Sequence, residues 1–201
     1  MNDMSVLRRK VLTGFLLVRF MYAQTPPKRI ILMLGPPGSG KTMQSEKLRS
    51  ALGLPVVSMT DMLRSEGTGK GGPAGSGDIV SDDVANSLLR KRISRKDCQR
   101  GFILDGYPFT AKQAEYLEAV LNELGLPRPA VIHLSITDYD VDQRLAKRGR
   151  EEDSPGNTEL RIVTYRKQAE LLMPRYPNAI TVDASKPVDV VAARIRQALG
   201  Y

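Results

Sequence analysis

The sequence predicts an open, doubly wound parallel α/β sheet of five strands, and three observations predict it. Apolar runs of strand length recur at RIILML (29–34), PVVSM (55–59), FILD (102–105), VIHLSI (131–136) and AITVDA (179–184). Each run is continuous rather than alternating, which is the pattern of strands buried on both faces. Helical patterns fall between the runs, and ligands of such sheets bind beyond the C-terminal strand ends.

The elements follow in chain order. Residues 1–27 read as an N-terminal extension, and residues 28–201 as a single domain with small inserted lobes. In the extension, Arg8-Arg9-Lys10 before VLTGFLLV has the order of charge and apolarity found in a secretory signal. Arg19 interrupts that apolar run, which is also too short to span a bilayer. After the first strand a glycine-rich turn opens a helix over Thr42–Leu52. Ser81 is the expected N-cap of a helix over 82–95, with Asp82 and Asp83 in the first turn, where the helix dipole favours acids. Thr110 and Gln113 have the spacing of a capping box, opening a helix to about Leu124. Further helices are expected over 138–148, 157–173 and 188–199. One stretch, EGTGKGGPAGSGD (66–78), carries six glycines from Gly67 to Gly77. It cannot form a stable helix and reads as a flexible cover or linker.

Composition narrows the function. The net charge is +8 and the pI about 9.7, which suits nucleic acid, a membrane surface or a phosphorylated small molecule. Aromatic residues make up only 5% and Trp is absent, which argues against a stacking platform for single strands. A single cysteine, Cys98, excludes an internal disulfide and a cysteine-rich zinc site.

The segment GPPGSGKT fits G-x-x-x-x-G-K-[ST] in its required context, after a strand and opening a helix. Glycines let successive backbone N–H groups face an anion, and the helix N-terminus adds partial positive charge. Gly35, Gly38, Ser39, Gly40, Lys41 and Thr42 are therefore the expected ATP-binding residues of the loop. Lys41 reaches the outer phosphates and the Thr42 hydroxyl serves magnesium.

The ordered set GPPGSGKTMQ, SMTDMLR, IVSDD, GFILDGYP, RLAKRG and REED…R resembles the adenylate kinases, or more broadly the nucleoside monophosphate kinases, over about residues 28–199. The resemblance implies a cytoplasmic monomer that transfers the ATP γ-phosphate reversibly to AMP with Mg2+. Asp105, at the end of a buried strand beside the loop's strand, suits a magnesium ligand, directly or through water. The resemblance adds Asp61 to the magnesium shell. It assigns Arg64, Arg150 and Arg161 to the acceptor phosphate, Arg148 to the transferring phosphate and Arg144 to the ATP base. It also implies that Met59, Asp78, Val80 and Gln113 lie at the acceptor base, the last reading adenine. An acceptor-binding insert is expected over about 59–80 and a short lid over about 149–156, too short and too poor in cysteine for zinc. No general base is needed, because a monophosphate attacks through its own oxygen, whose second pKa is near ~6. His133, inside a strand, reads as structural.

Four positions depart from the family pattern. Phe109 stands where an acceptor-clamping arginine is usual, a charge-assisted contact worth about 1.5–3 kcal/mol. Met59 replaces a frequent threonine, the insert is shortened into the glycine run, and Thr42 follows Lys41 without an intervening glycine. These departures keep two alternatives open: a kinase for another monophosphate or small acceptor, and a non-catalytic ATP-binding protein. Nucleic-acid association through the net charge is a weaker third, since much of that charge is assigned to nucleotide phosphates. Neither nucleic acid nor membrane is expected as a partner.

Overall fold

A computed structural model of the chain describes residues 28–67, 80–150 and 153–201. The N-terminal extension with its signal-like run, most of the glycine-rich stretch including Asp78, and Glu151 and Glu152 lie outside the described residues. Five strands, β1 (Arg29–Leu34), β2 (Val56–Ser58), β3 (Gly101–Asp105), β4 (Ala130–Ser135) and β5 (Ile180–Asp183), form one sheet in the order β2-β3-β1-β4-β5. Every neighbouring pair is parallel. The register places Met33 of β1 opposite Asp105 of β3, and Leu34 opposite His133 of β4. The central strand thus ends between two neighbours whose connections run to opposite sides, the switch point at which such sheets bind ligands.

Seven α-helices occur among the described residues: α1 (Lys41–Leu52), α2 (Met59–Ser65), α3 (Asp82–Ile93), α4 (Ala111–Glu123), α5 (Asp138–Arg148), α6 (Pro155–Leu172) and α7 (Val188–Ala198). The continuous apolar strands divide their side chains between two cores. Ile30, Leu32 and Leu34 pack with Phe102 and Leu104 against Leu89 of α3 and Leu117 of α4. Ile31 and Met33 pack with Ile103 and Ile132 against Leu48 of α1 and Ile195 of α7. At about 1.5–3 kcal/mol for each large apolar side chain removed from water, these two layers are the main stabilising term of the fold.

Several element ends differ from those expected, each for a local reason. Helix α2 was not among the expected helices. It has only seven residues, and its start is set by the Ser58 hydroxyl, which accepts the Asp61 N–H at 3.2 Å. Helix α3 is capped by Ser81 as expected but stops at Ile93, and a 3-10 turn over Lys96–Cys98 follows. Helix α6 begins at Pro155 rather than residue 157, since proline suits the first helical position, where its missing N–H costs nothing. It gives way to a 3-10 turn at Met173–Arg175, where Pro174 cannot continue an α-helix. The Thr110 box forms only by half. The Thr110 hydroxyl accepts the Gln113 N–H at 3.1 Å, but the Gln113 side chain turns to the Phe109 N–H, at 2.7 Å, instead of returning to Thr110. No helix among the described residues is long and apolar enough to cross a membrane.

Candidate active site

The C-terminal end of β1 runs into the glycine-rich loop, and α1 starts at its far side. Gly35 has φ near +147°, and a Cβ there would lie 2.8 Å from the Leu134 carbonyl oxygen, so the tight exit from the sheet requires glycine. Gly40, the residue before α1, has φ +93° and offers no side-chain cap. The first N–H groups of α1 are thereby left facing the loop's hollow, with the positive end of the helix dipole behind them. Ser39 is buried, at 2% exposure, and its hydroxyl oxygen has no hydrogen-bond partner among the described residues. Lys41 curls over the loop, with Nζ donating to the Gly35 and Pro36 carbonyls at 2.7 and 2.9 Å. Burial draws its pKa down to about 8; Asp105 opposes the shift, while Arg161 and Arg148 add to it.

A cleft of about 560 Å³ opens above this loop. Lys41, Arg64, Arg144, Arg148, Arg150 and Arg161 line it, as do Glu46, Asp61 and Asp105. Cations outnumber acids in the lining by two to one, the balance expected of a site for several phosphates. The Thr42 hydroxyl donates to Asp105 Oδ2 at 2.7 Å. Burial raises the Asp105 carboxyl above its ordinary value; the charge of Lys41 and the Thr42 hydrogen bond pull the other way. Asp61 sits in the first turn of α2, three residues beyond the end of β2, and lies 3.7 Å from Arg64. Hydroxyl and carboxylate oxygens together are the donor set that a hard divalent cation takes, so these three residues fit magnesium.

The arginines reach the cleft from separate elements. Arg144, on α5, spans two parts of the sheet end: its guanidinium donates to the Gly38 carbonyl at 3.5 Å and to the Ala184 carbonyl at 2.6 Å. Arg148, one turn on, holds Asp153 in a two-pronged pair at 2.5 and 2.6 Å. Arg161, on α6, meets the same carboxyl at 2.9 Å. The Asp153 side chain is only 1% exposed. Burial alone would raise its pKa, but Arg148 and then Arg161 outweigh that and hold it below the usual carboxylate value. The sequence reading gave Asp153 no role. The usable signal was an acid five residues after one expected phosphate-binding arginine and eight before another. Tyr165 also lines the cleft, and its hydroxyl is 3.2 Å from His133 Nε2. That pairing ties β4 to α6 and agrees with a structural histidine. Cys98 is fully buried with its thiol pushed up to about 11, far from a reactive thiolate.

Three residues expected at the acceptor base do not line the cleft. Met59 is 1% exposed and belongs to the core beside Leu63 and Leu104, as an unbranched apolar chain at the start of a short helix would. Val80 packs against the same core. Gln113 is 3% exposed, and both ends of its amide are bonded inside: Nε2 donates to Asp82 Oδ1 at 2.9 Å, and Oε1 accepts the Phe109 N–H. Phe109 itself lines the cleft, with Pro108, Ala169, Leu172 and Met173.

The comparisons with known proteins agree with one another. The family model described as "Adenylate kinase" matches residues 33–181. A curated adenylate kinase of Xanthomonas oryzae is 36% identical over 185 residues, spanning 85% of this chain and 98% of the relative. Another, from Mycobacteroides abscessus, is 37% identical over 178 residues with the same coverage. A third, from Nocardia farcinica, is 36% identical over 178 residues.

Proposed function

The chain belongs to the adenylate kinase family, and from that premise we propose that it moves the γ-phosphoryl group of ATP to AMP, reversibly, giving two ADP. The observation that carries the reading is the convergence of Lys41, Arg64, Arg148, Arg150 and Arg161 on one cleft above an open helix N-terminus. The loop's backbone amides and Lys41 hold the donor's phosphates. Arg144 faces the donor from α5, and Arg64, Arg150 and Arg161 hold the acceptor's phosphate.

The chemistry then asks little of the protein beyond placement. An oxygen of the acceptor phosphate, largely ionised at neutral pH, forms a bond to the γ-phosphorus. The bond from that phosphorus to the β,γ-bridging oxygen breaks, and ADP leaves with the electron pair. Negative charge spreads over the transferring group, and Lys41 and Arg148 stabilise it in place. No proton has to be removed, which agrees with a cleft that holds no histidine. Thr42, Asp61 and Asp105 are the residues that would hold magnesium, which when bound neutralises charge on the β- and γ-phosphates.

We read residues 59–80 as the acceptor insert and 149–156 as a short lid, because Thr60, Asp61, Arg64 and Arg150 line the cleft; closure of the lid would shut water out and protect ATP from hydrolysis. The test is ADP formation from ATP and AMP with magnesium, read by a coupled assay. Turnover that requires AMP and magnesium supports the reading; none with AMP, GMP, CMP or UMP defeats it.

A further inference from the structure

We propose that the end of the molecule opposite the cleft is a docking face for an anionic lipid surface, with the N-terminal extension as its second, apolar hold. The chain then works at a membrane surface with its cleft turned to solution. The proposal departs from the expectation that no membrane is a partner, and it stands independently of the kinase reading.

All five strands run parallel, so the connections that enter them lie at one end of the sheet and the cleft at the other. Charge on those connections has one sign. They comprise residue 28 and residues 53–55, 94–100, 124–129 and 173–179, and they carry Lys28, Arg95, Lys96, Arg100, Arg128 and Arg175 against a single acid, Asp97. Asp97 is already neutralised by Arg92, which holds it in two prongs at 2.8 and 3.0 Å. Glu123, at the end of α4, is taken up by Arg90 in the same way, and Arg175 pairs with Glu115 at 3.1 Å. The other five cations are exposed and have no ion pair among the described residues. Arg29, the first residue of β1, joins them. Its N–H donates to the Arg100 carbonyl at 3.2 Å, and its guanidinium lies 4.5 Å from the centre of the Tyr201 ring. That bond sets two segments side by side, so Lys28, Arg29, Arg95, Lys96 and Arg100 make one patch.

Clustered like charges repel one another in the folded state, and an extended anion relieves that repulsion. A small anion does not fit the patch. The hollow of about 540 Å³ beside it, at the free edge of β2, is lined by four cations and four acids and gathers no net charge. Between a nucleic acid and a lipid surface, the chain before Lys28 decides. Residues 1–27 are attached at the patch itself, since Lys28 belongs to it. They bring Arg8, Arg9, Lys10 and Arg19 against one acid, Asp3, together with the apolar run VLTGFLLV and then Phe20, Met21 and Tyr22. A nucleic acid has no use for an apolar run, whereas a bilayer takes it up. One apolar segment alone gives only marginal binding, and a basic patch added to it makes the association stable. Base stacking has little to work with, because Arg29 already covers Tyr201, the aromatic beside the patch. A chain docked by this end leaves the far ends of the strands, and the cleft with them, facing away from the lipid.

The experiment sediments the full chain with phosphatidylcholine vesicles, with and without phosphatidylglycerol. The wild-type chain should bind the anionic vesicles, ignore the neutral ones, and be released in about 1 M salt, where charges are screened beyond ~3 Å. Arg95→Glu, Lys96→Glu and Arg100→Glu together should weaken binding by about 100-fold or more, at about fivefold for each cation near the surface. The matched reversal of three exposed lysines outside the patch, Lys112→Glu, Lys147→Glu and Lys167→Glu, should cost far less. Leu16→Asp with Leu17→Asp should weaken binding by about tenfold or more, because the apolar hold is lost. Equal binding to neutral vesicles, no binding to anionic ones, or equal losses in the two triple variants each overturn the proposal. So does salt-sensitive binding to duplex RNA without binding to vesicles, which assigns the patch to nucleic acid. If the patch variant does not fold, the lipid and salt dependence of the wild-type chain decide. ADP formation by the vesicle-bound chain should equal that of the free chain; its loss on binding overturns the outward-facing cleft. No ADP formation in either state removes the kinase reading and leaves the docking face to be judged by sedimentation.

Discussion

The donor half of the cleft is built from one contiguous stretch of chain, and the acceptor half is assembled from side chains on α2, α5, α6 and the β3–α4 loop. Gly35 to Thr42 bend and start α1 through their own glycines, and distant side chains brace that cradle at two points, Arg144 at the Gly38 carbonyl and Asp105 at the Thr42 hydroxyl. The acceptor side stands on side-chain pairs between elements instead: Asp82 with Gln113, Asn86 with Tyr107, and Asp153 with Arg148 and Arg161. A backbone cradle has few alternative conformations once its glycines are in place. A fan of arginines must be held apart and aimed, and here buried acids and amides do that. The donor side should therefore fail through single residues that touch ATP, and the acceptor side through residues that touch no substrate.

The largest break falls on the donor side. Lys41→Met keeps the loop's bulk but removes its mobile charge, and kcat/KM should drop by about 10³-fold or more, with the melting temperature nearly unchanged. A fall below tenfold would show that the amides alone carry the phosphates. Because Lys41 ionises near 8 in the free protein, ATP phosphates should restore its proton above that pH. Binding heats at about pH 8.5 should then depend on the buffer's ionisation enthalpy, with a proton taken up.

Next in size is a break on the acceptor side at a residue that meets no substrate. Asp153→Asn removes the charge that two guanidiniums share in a buried place, a loss of about 3–5 kcal/mol by analogy with other broken buried pairs. In a chain of this length that lowers the melting temperature by roughly 10 °C, and turnover falls as Arg148 and Arg161 lose their aim. The pH dependence has a definite sign. The folded Asp153 carboxyl ionises below its ordinary value. Its stabilisation is thus complete above the unfolded pKa, about 3.9, and is lost as the pH falls through the folded one. The gap between wild type and variant should narrow steadily as the pH falls below about 4 and close below the folded pKa; a gap that does not narrow would assign the effect to shape rather than charge.

The same contrast explains what could be read before any coordinates. The five strands and the loop were legible because apolar runs and a glycine spacing are local signals, carried within eight or fewer residues. The convergence of Arg64, Arg144, Arg148, Arg150 and Arg161 came from family resemblance, since nothing local says that α2, α5 and α6 face one another. Resemblance also placed Met59 and Gln113 at the acceptor base, whereas here Met59 packs in the core and Gln113 is bonded into an internal network. Asp153 was passed over because an acid among arginines reads equally well as a surface pair; its burial appears only once α5 and α6 pack.

A gain of function sharpens the comparison at Phe109. The cleft wall there is apolar, so Phe109→Arg introduces a cation beside the acceptor phosphate's other guanidiniums. One charge-assisted contact is worth about 1.5–3 kcal/mol, and KM for AMP should fall by about tenfold or more. The ATP KM should not move. If AMP binds more weakly instead, Phe109 contributes more as a surface for the base than an added charge returns.

The smallest effect should come from Arg144, where the two halves meet. Its guanidinium is fastened to the Gly38 and Ala184 carbonyls, so it joins the donor loop to the end of β5 rather than standing ready for a phosphate. Arg144→Ala removes that strut together with one face that ATP can lie against. The amide cradle and Lys41 remain. KM for ATP should rise by about tenfold, with kcat within a factor of a few, because ground and transition states lose the same contact. Arg144→Lys separates the two contributions: it keeps a positive charge and one donor but not the planar fork that spans two carbonyls. If the lysine variant behaves like alanine, the planar guanidinium is what counts, and the donor half also depends on a long-range side chain. If it behaves like wild type, charge alone suffices, and the backbone loop remains as self-contained as its sequence suggests.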